Sequence, residues 1–195
     1  MILNEEEQQN LEENTEKTKE KVANSEKSVR HYQWFILRLA IIIFIIWVLF
    51  FQIVGLTHMP NDDMYPRVDS GDLVLFYRLD KDVRSQDIIV FEKMTPDSGK
   101  EKELFISRVV GAPGDTVEID GTRLIINGNT VSESNIFYTT QGYEGYTTYP
   151  VTLGPDECFV LADFREGGSD SRYFGPVKQD EILGTVISIF RRNNL

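Results

Sequence analysis

Hydrophobic positions fall into one long uninterrupted block followed by a series of short runs. The block, Leu39 to Leu56, carries no charged residue. As a helix, it would rise about 27 Å, close to the thickness of a bilayer's hydrocarbon core. Tyr32 and Trp34 precede it and suit the membrane interface. We therefore predict that residues 31–56 form an interfacial segment and a single transmembrane helix.

The block could instead be the apolar core of a cleaved signal peptide. It is longer than a typical signal core, a long acidic segment precedes it, and no small-x-small cleavage site follows, so an uncleaved anchor is favoured. Lys27, Arg30 and Arg38 lie on its amino-terminal flank, whereas the opposite flank begins with two aspartates. The positive-inside rule then predicts a cytoplasmic tail over residues 1–30 and an extracytoplasmic domain over 57–195.

The predicted tail is strongly polar. Residues 1–30 hold eight Glu against four Lys and one Arg. Their few aliphatic residues form no stripe on one helical face, which predicts a solvated helix or a disordered tail. Clean heptads, which a coiled coil would need, are absent.

After the block, short apolar runs alternate with turn residues, the pattern of β-strands. Asn127-Gly128 is the strongest hairpin signal, because both central residues of a type I′ turn need positive φ. With no long amphipathic helix between the runs, we predict an all-β, barrel-like or sandwich domain. Residues 132–150, rich in tyrosine, are predicted to form a loop-rich insertion or small β subdomain. The strand candidates are Leu73–Tyr77, Ile88–Phe91, Phe105–Val110, Thr116–Ile119, Arg123–Ile126, Cys158–Ala162 and Ile182–Phe190.

Composition narrows the possible functions of the outer domain. Residues 57–195 carry 23 acidic and 14 basic residues, a formal charge of −9, so nucleic acid is not an expected partner. Cys158 is the only cysteine, which excludes an intrachain disulfide and metal sites built on paired cysteines. We expect no metal and no cofactor. A buried hydrophobic role for Cys158 is favoured over catalysis, since the chain has only two histidines, His31 and His58.

Four motifs follow one another along the outer domain. They are Asp63-Met64-Tyr65-Pro66, Asp87-Ile88-Ile89-Val90-Phe91, Ser107-Arg108-Val109-Val110-Gly111-Ala112-Pro113-Gly114-Asp115, and Ala162-Asp163-Phe164-Arg165 through Asp170-Ser171-Arg172-Tyr173-Phe174-Gly175. In order and spacing they resemble the conserved boxes of the type I signal peptidases, membrane-bound serine proteases with a Ser/Lys dyad. The resemblance implies that family's β fold.

The resemblance also shows which chemistry is missing. The family's nucleophilic Ser falls on Asp63, and its general-base Lys falls on Ser107. The Ser that orients the Lys falls on Gly168, or on Ser169 if the alignment slips by one residue. The usual Asn and Gly of the fourth box are Phe164 and Ala162. Asn61 stands where many members place an oxyanion-hole hydroxyl, and its amide would still donate a hydrogen bond.

Other catalytic arrangements of these residues are unfavourable. A serine needs a base with a pKa near the working pH. With Ser107 attacking, Asp63 would be a weak base and would lack the imidazole of a triad. Asp62 and Asp63, as extended neighbours, would point to opposite faces and not share a proton. We expect Asp63 and Ser107 to face each other across a filled site, joined by a hydrogen bond or a water molecule.

The resemblance assigns further residues by position. The expected cleft residues are Asn61, Met64, Tyr65, Pro66, Ile106 and Arg108. The expected structural residues of the motifs are Gly71, Asp72, Gly114, Asp115, Asp163, Asp170, Ser171, Arg172 and Gly175.

The function implied is that of a signal-peptidase-like protein without protease activity. The chain resembles most the dyad-lacking members of Gram-positive pilus clusters. These imply a plasma-membrane protein that binds an exported segment, possibly of a pilin, beside a sortase machinery. Two alternatives remain, an active type I signal peptidase and a scaffold that acts through its cytoplasmic tail.

Overall fold

The computed structural model describes residues 5–143 and 146–191. Residues 1–4 of the predicted tail, 144–145 of the predicted insertion and 192–195 of the predicted outer domain lie outside the described residues. The chain divides into two units, residues 1–50 and 51–195, and each is described by itself.

A single helix, α1, runs from Glu5 to Ile53. Its apolar part, Val29–Ile53, is the one stretch among the described helices that is long and apolar enough to cross a membrane. Large apolar side chains are exposed all around this part, Phe44 and Ile46 by 61% each, as lipid-facing side chains would be. The helix fits a single-pass membrane protein.

The helix ends three residues before the predicted end of the span. Val54–His58 is an edge strand, β1, paired antiparallel with Leu73–Tyr77. Gly55 permits this pairing, since a Cβ there would lie only 2.1 Å from the Phe76 ring. The apolar composition of 54–56 matched a helix and a buried strand equally well, and the long-range pairing decides between them.

The second unit, residues 51–195, which we call the outer unit after its predicted location, is built from two antiparallel sheets. Besides β1, its strands are β2 Leu73–Tyr77, β3 Ile88–Lys93, β4 Glu103–Gly111, β5 Thr116–Asp120, β6 Arg123–Ile126, β7 Asn129–Thr130, β8 Val151–Thr152, β9 Glu157–Leu161, β10 Val177–Lys178 and β11 Ile182–Phe190. A seven-stranded sheet has the order β1-β2-β11-β3-β4-β9-β10, and a four-stranded sheet the order β7-β6-β5-β8. A short helix, α2, spans Ser171–Phe174, and a 3-10 turn spans Gln179–Glu181.

The predicted fold class is confirmed: β sheets dominate, with one apolar amino-terminal helix. Each predicted strand is present within about two residues. The hairpin at Asn127-Gly128 joins β6 to β7, with φ of 50° and 78° at the two positions. The two-residue strands β8 and β10 were missed, because so short a segment shows no alternation.

Strand β4 lies inside the large sheet, between β3 and β9, and contributes to three hydrophobic clusters. Phe105 and Val109 face one cluster, which also holds Cys158. Ile106 faces a second and Val110 a third, beside the small sheet. Alternate residues of a strand point to opposite faces, so Ser107 shares the face of Phe105 and Val109.

Candidate functional site

The first motif lies in the connection between β1 and β2. The connection is closed at its base by backbone hydrogen bonds from Met59 N to Asp72 O and from Gly71 N to Met59 O, 2.8 and 2.9 Å long. Gly71 has a φ of 87°, which favours glycine. Turns fill the connection, so Asp62 and Asp63 are not the extended neighbours that the sequence suggested. They are still separated, since Asp62 is exposed and Asp63 is buried.

The Asp63 side chain, at the position that the resemblance assigns to the nucleophile, is only 8% exposed. Its Oδ2 accepts a 2.8 Å hydrogen bond from the Asn61 amide, and its Oδ1 accepts a 3.4 Å bond from Ser169 N. Burial raises the pKa of Asp63 to about 6, with smaller contributions from the charges of Asp170 and Asp62, although the two hydrogen bonds oppose the rise. The Asn61 amide therefore serves the carboxylate and is not free for an oxyanion.

The Ser107 hydroxyl, at the position that the resemblance assigns to the base, is fully buried and has no hydrogen-bond partner in the described parts of the chain. The direct hydrogen bond to Asp63 that we expected from the sequence is absent. The Asp63 carboxylate instead accepts a hydrogen bond from Asn61, which lies two residues before it in the same turn. Without a hydrogen bond between them, the hydroxyl and the carboxylate do not form a nucleophile–base pair.

Ala162 and Gly168 are sterically coupled between these two positions. Strands β4 and β9 pair Arg108 with Leu161, so the next residues outward are Ser107 and Ala162. A Cβ on Gly168 would lie 2.2 Å from the Ala162 Cβ, 2.9 Å from the Phe164 carbonyl oxygen and 3.6 Å from Asp63 Oδ1. The Ala162 methyl group and the Phe164 carbonyl oxygen thus occupy the space that a side chain at position 168 would need. The resemblance assigns a Gly to position 162 and a Ser to position 168. In this chain the side chain is instead at position 162, as Ala, and position 168 is Gly.

Three of the six expected cleft residues are buried in the protein. Met64 is 0% and Ile106 is 1% exposed, both in one hydrophobic cluster. Arg108 is 5% exposed and binds Asp163 through two hydrogen bonds of 2.8 and 2.6 Å. Their assignment as open cleft surface is wrong here, because each packs or pairs internally. Tyr65 and Pro66 are exposed and remain available.

The fourth motif builds a buried polar framework. Asp170 caps α2 by accepting from Arg172 N. Its carboxylate also binds the Arg172 guanidinium at 2.9 and 2.8 Å and accepts from Ala162 N at 2.9 Å. The Ser171 hydroxyl accepts from Val160 N. Asp170, Ser171 and Arg172 are all 0% exposed, and every one is paired.

The other expected structural residues also have local roles. Asp72 accepts from Asp69 N, and Asp115 accepts from Ala112 N and from the Asn127 amide. Gly114 and Gly175 have φ of 87° and 78°. These residues shape turns around the site and do not enter it.

Two buried arginines hold the tyrosine-rich insertion against the fourth motif. Arg165 binds the Glu133 carboxylate at 2.8 and 2.7 Å and also the Thr140 hydroxyl. Arg172 donates to Gln141 O, and its guanidinium lies 4.3 Å from the centre of the Tyr143 ring. The sequence analysis missed these anchors, because the partners lie about 30 residues apart and no short motif marks them.

The anchored insertion forms a small aromatic pocket with the first motif. Asp62, Tyr65, Tyr138 and Phe164 line a cavity of about 250 Å³. The Tyr138 and Phe164 rings meet edge to face at 5.1 Å. Phe164 N donates a 2.8 Å hydrogen bond to Asp63 O, which places the pocket next to the former nucleophile position. The departure from the family's Asn at position 164 was the available sequence signal for this pocket.

Other candidate reactive groups are engaged elsewhere. The Lys93 ammonium binds Glu181 at 2.7 Å and Pro176 O at 2.8 Å. Cys158 is buried, and burial raises the pKa of its thiol to about 12, as in a packing residue. His58 is exposed and contacts Gly71 O. In residues 5–143 and 146–191, no group of His, Cys, Asp and Glu could hold a metal ion.

These features define a class of β protein with one apolar amino-terminal helix. In this class the turn of the first motif, strand β4 and the capped helix α2 contribute residues to a small polar site. The family model "Signal peptidase, peptidase S26" matches residues 29–191. The chain belongs to this family.

Two named relatives, both from the sequence comparison, agree with this assignment. Signal peptidase I of Bacillus caldolyticus is 32% identical over 83% of this chain and 90% of its own length. Signal peptidase I of Leptolyngbya laminosa is 31% identical over 68% of this chain, which spans 66% of the relative's length. A crystal structure of a signal peptidase I from Enterococcus faecalis V583 is 31% identical, with 54% of this chain and 97% of that one covered and a TM-score of 0.42.

Proposed function

We propose that this protein is a signal-peptidase-like binding factor that holds an exported polypeptide segment without cleaving it. The observation that supports the proposal is the state of the two dyad positions. The buried Asp63 carboxylate is engaged by Asn61, and the buried Ser107 hydroxyl has no hydrogen-bond partner in the part of the chain that the structure describes. Hydrolysis by the family's mechanism requires a nucleophile and a neutral amine there.

The framework around these positions favours a retained binding shape. The ion pairs Arg108–Asp163 and Arg172–Asp170 are buried and fully hydrogen-bonded. Removing one partner of such a pair leaves an uncompensated charge, which is strongly destabilising. The shape around the cleft is therefore held by interactions that do not depend on the dyad.

The expected ligand is an extended segment of an exported protein. Extended segments pair with exposed sheet edges, and β1 is an edge of the seven-stranded sheet. From the resemblance to the dyad-lacking proteins of pilus clusters, we propose a pilin segment as the ligand and a sortase machinery as a further partner. The corresponding location is the plasma membrane of a Gram-positive bacterium, with the tail cytoplasmic and the β domain outside.

The second candidate is an active signal peptidase, favoured by relatives that carry that name. It would need a base within reach of a nucleophile. Lys93 pairs with Glu181, and Lys100 and Lys102 are exposed. Neither arrangement resembles the buried lysine of the family dyad.

Reconstruction of the dyad tests the proposal. A preprotein with an Ala-x-Ala site is incubated with the full chain in detergent, and its length is followed by mass spectrometry. We expect no cleavage by the parent, and cleavage by a variant with Asp63→Ser, Ser107→Lys, Ala162→Gly and Gly168→Ser. The last two changes are included because of the steric coupling of Ala162 and Gly168. Cleavage by the parent would establish the second candidate.

A further inference from the structure

The aromatic pocket beside the former nucleophile position has the chemistry of a cation site. Three rings, from Tyr65, Tyr138 and Phe164, and one carboxylate, from Asp62, line it. The face of an aromatic ring carries negative electrostatic potential and attracts ammonium and guanidinium groups. A carboxylate at the rim adds a charged hydrogen-bond acceptor.

We propose that this aromatic pocket receives a lysine side chain of the bound exported segment, with the ammonium group held by the ring faces and by Asp62. The proposal rests on the proposed function, because the lysine belongs to the extended segment in the cleft. It adds a specificity determinant that the family's dyad chemistry does not contain.

The size of the pocket supports a single side chain as its occupant. Its volume is about 250 Å³, below the range of roughly 300–1,000 Å³ that is typical of small-molecule sites. The aliphatic stem of a lysine would lie against the rings while the ammonium reached the rim. A folded partner could enter only through such a projecting side chain.

The charges around the pocket favour an incoming cation. Asp62 Oδ1 accepts from Ser70 N at 3.0 Å, and no hydrogen bond within the described residues reaches its other oxygen. The buried arginines of the neighbourhood are committed, Arg165 to Glu133 and Arg172 to Asp170. An incoming ammonium therefore meets an acceptor that no internal cation occupies.

Phe164 distinguishes the pocket of this chain from the family pattern. It supplies one wall, and it stands where the family pattern has an asparagine. Its ring is held edge to face against Tyr138, whose segment is fixed through Thr140 and Arg165. The pocket thus depends on the anchored insertion, the part of the outer unit whose role the motifs did not explain.

A lysine scan in synthetic peptides tests the proposal. The probes are acetylated, fluorescent decapeptides of alternating threonine and serine with one lysine at each position in turn, and matching peptides with norleucine. They are titrated by anisotropy against the full chain in detergent. We expect at least one lysine peptide to bind about tenfold more tightly than its norleucine counterpart, equivalent to about 1.4 kcal/mol.

Matched variants assign the preference to the pocket. Asp62→Asn, Phe164→Asn and Tyr138→Leu should each remove most of the tenfold preference. The controls Asp156→Asn and Tyr146→Leu change an exposed aspartate and an exposed tyrosine that lie outside this pocket, and they should keep it. Equal binding of lysine and norleucine peptides, or a preference that survives Asp62→Asn and Phe164→Asn together, would overturn the proposal.

A small probe separates failure of this pocket from failure of the proposed function. N-acetyl-lysine methylamide is added while the tyrosine ring signals are followed by NMR, with Tyr146 as the reference for Tyr138. If it shifts Tyr138 alone and no decapeptide binds, the pocket is supported and the extended-segment function fails. If the decapeptides bind without a lysine preference, the function is supported and the lysine pocket fails. If neither probe binds, both fail.

Discussion

Two groups of buried polar side chains lie next to each other in the outer unit, and they differ in how completely they are satisfied. In the framework around Asp170 and Arg172, each charged group has an opposite charge and further hydrogen bonds. At the two positions that the resemblance assigns to the dyad, no cation within residues 5–143 and 146–191 pairs with the buried Asp63 carboxylate, and the buried Ser107 hydroxyl has no hydrogen-bond partner there. The framework supports the fold, whereas the dyad positions contribute little to it.

The difference shows where the chain tolerates change. Ser107 and Asp63, at the positions that the resemblance assigns to the Lys and the Ser, take no part in the buried ion pairs Arg108–Asp163 and Arg172–Asp170. The Ala162–Gly168 exchange kept the local volume filled. A protein that is selected for shape would need the first group of side chains and not the second.

The largest effect is expected from breaking the framework. Arg172→Ala leaves Asp170 charged and fully buried, so it should lower the free energy of unfolding by about 3–5 kcal/mol. Thermal unfolding of the outer domain followed by circular dichroism would measure the loss. Arg123→Ala, which breaks the exposed pair with Asp120, is the control and should change stability by at most about 1 kcal/mol. Equal effects would remove the distinction between the two regions.

Because of Asp63, the folded protein should be more stable at mildly acidic pH than at neutral pH. Burial raises its pKa in the folded protein to about 6 from 3.8, so the folded state binds the proton more tightly than the unfolded state. Stability then falls as the pH rises from about 4 through 6, by up to about 3 kcal/mol for this group. The Asp63→Asn variant should lack this fall.

The measurement compares urea unfolding of parent and variant between pH 4 and pH 7. The difference between the two proteins, and not the total slope, isolates Asp63 from other titrating groups. The variant should become the more stable protein as the pH rises. A constant difference across this range would show that the carboxylate is not buried in the folded protein.

The steric coupling of Ala162 and Gly168 should be measurable as a change in the free energy of unfolding. Gly168→Ser forces a Cβ to within 2.2 Å of the Ala162 methyl group, and overpacking of this kind costs about 1–3 kcal/mol. Adding Ala162→Gly removes the contact with the methyl group but not the 2.9 Å contact with the Phe164 carbonyl oxygen, so it should recover part of the loss, as measured by chemical unfolding. Gly142→Ser is the matched control, since its Cβ would meet only an ordinary 3.5 Å contact with Tyr149. Failure of the second change to compensate would contradict the coupling.

The smallest effect is expected from deletion of the polar amino-terminal tail. Deleting residues 1–28 leaves the β domain and the apolar part of α1 in place, so the Kd for an extended peptide should change by less than about twofold, within the scatter of independent sites. Anisotropy in detergent would measure it. Loss of function in cells with peptide binding unchanged would instead favour the scaffold that acts through its tail.

The sequence predicted the fold well and the site only in part. Alternation along Leu73–Tyr77 and the positive-φ pair Asn127-Gly128 are local signals, and both elements are present as predicted. The end of the span at Leu56 was wrong, because strand pairing with β2 competes with helix formation there. Local sequence contains no information on such a partner.

The site was harder to predict, because its geometry arises from distant contacts. The predicted strand Phe105–Val110 placed Ser107 correctly, whereas Asp63 lies in a turn and not in the extended segment that the sequence suggested. The Asp63 carboxylate, however, accepts a hydrogen bond from Asn61 and not from Ser107. Met64 and Ile106, which we expected in the cleft, are core residues. The pocket of Tyr65, Tyr138 and Phe164 joins segments up to 99 residues apart, which no local pattern marks.

The central claim is that the cleft holds an exported segment and leaves it intact. A purified pilin precursor with its Ala-x-Ala signal peptide, fluorescently labelled, would be titrated against the full chain in detergent while the precursor's mass is recorded. The account predicts saturable binding with the precursor at full length, weakened by Phe164→Asn. Binding that is followed by a shortened precursor, or no saturable binding at all, would contradict it.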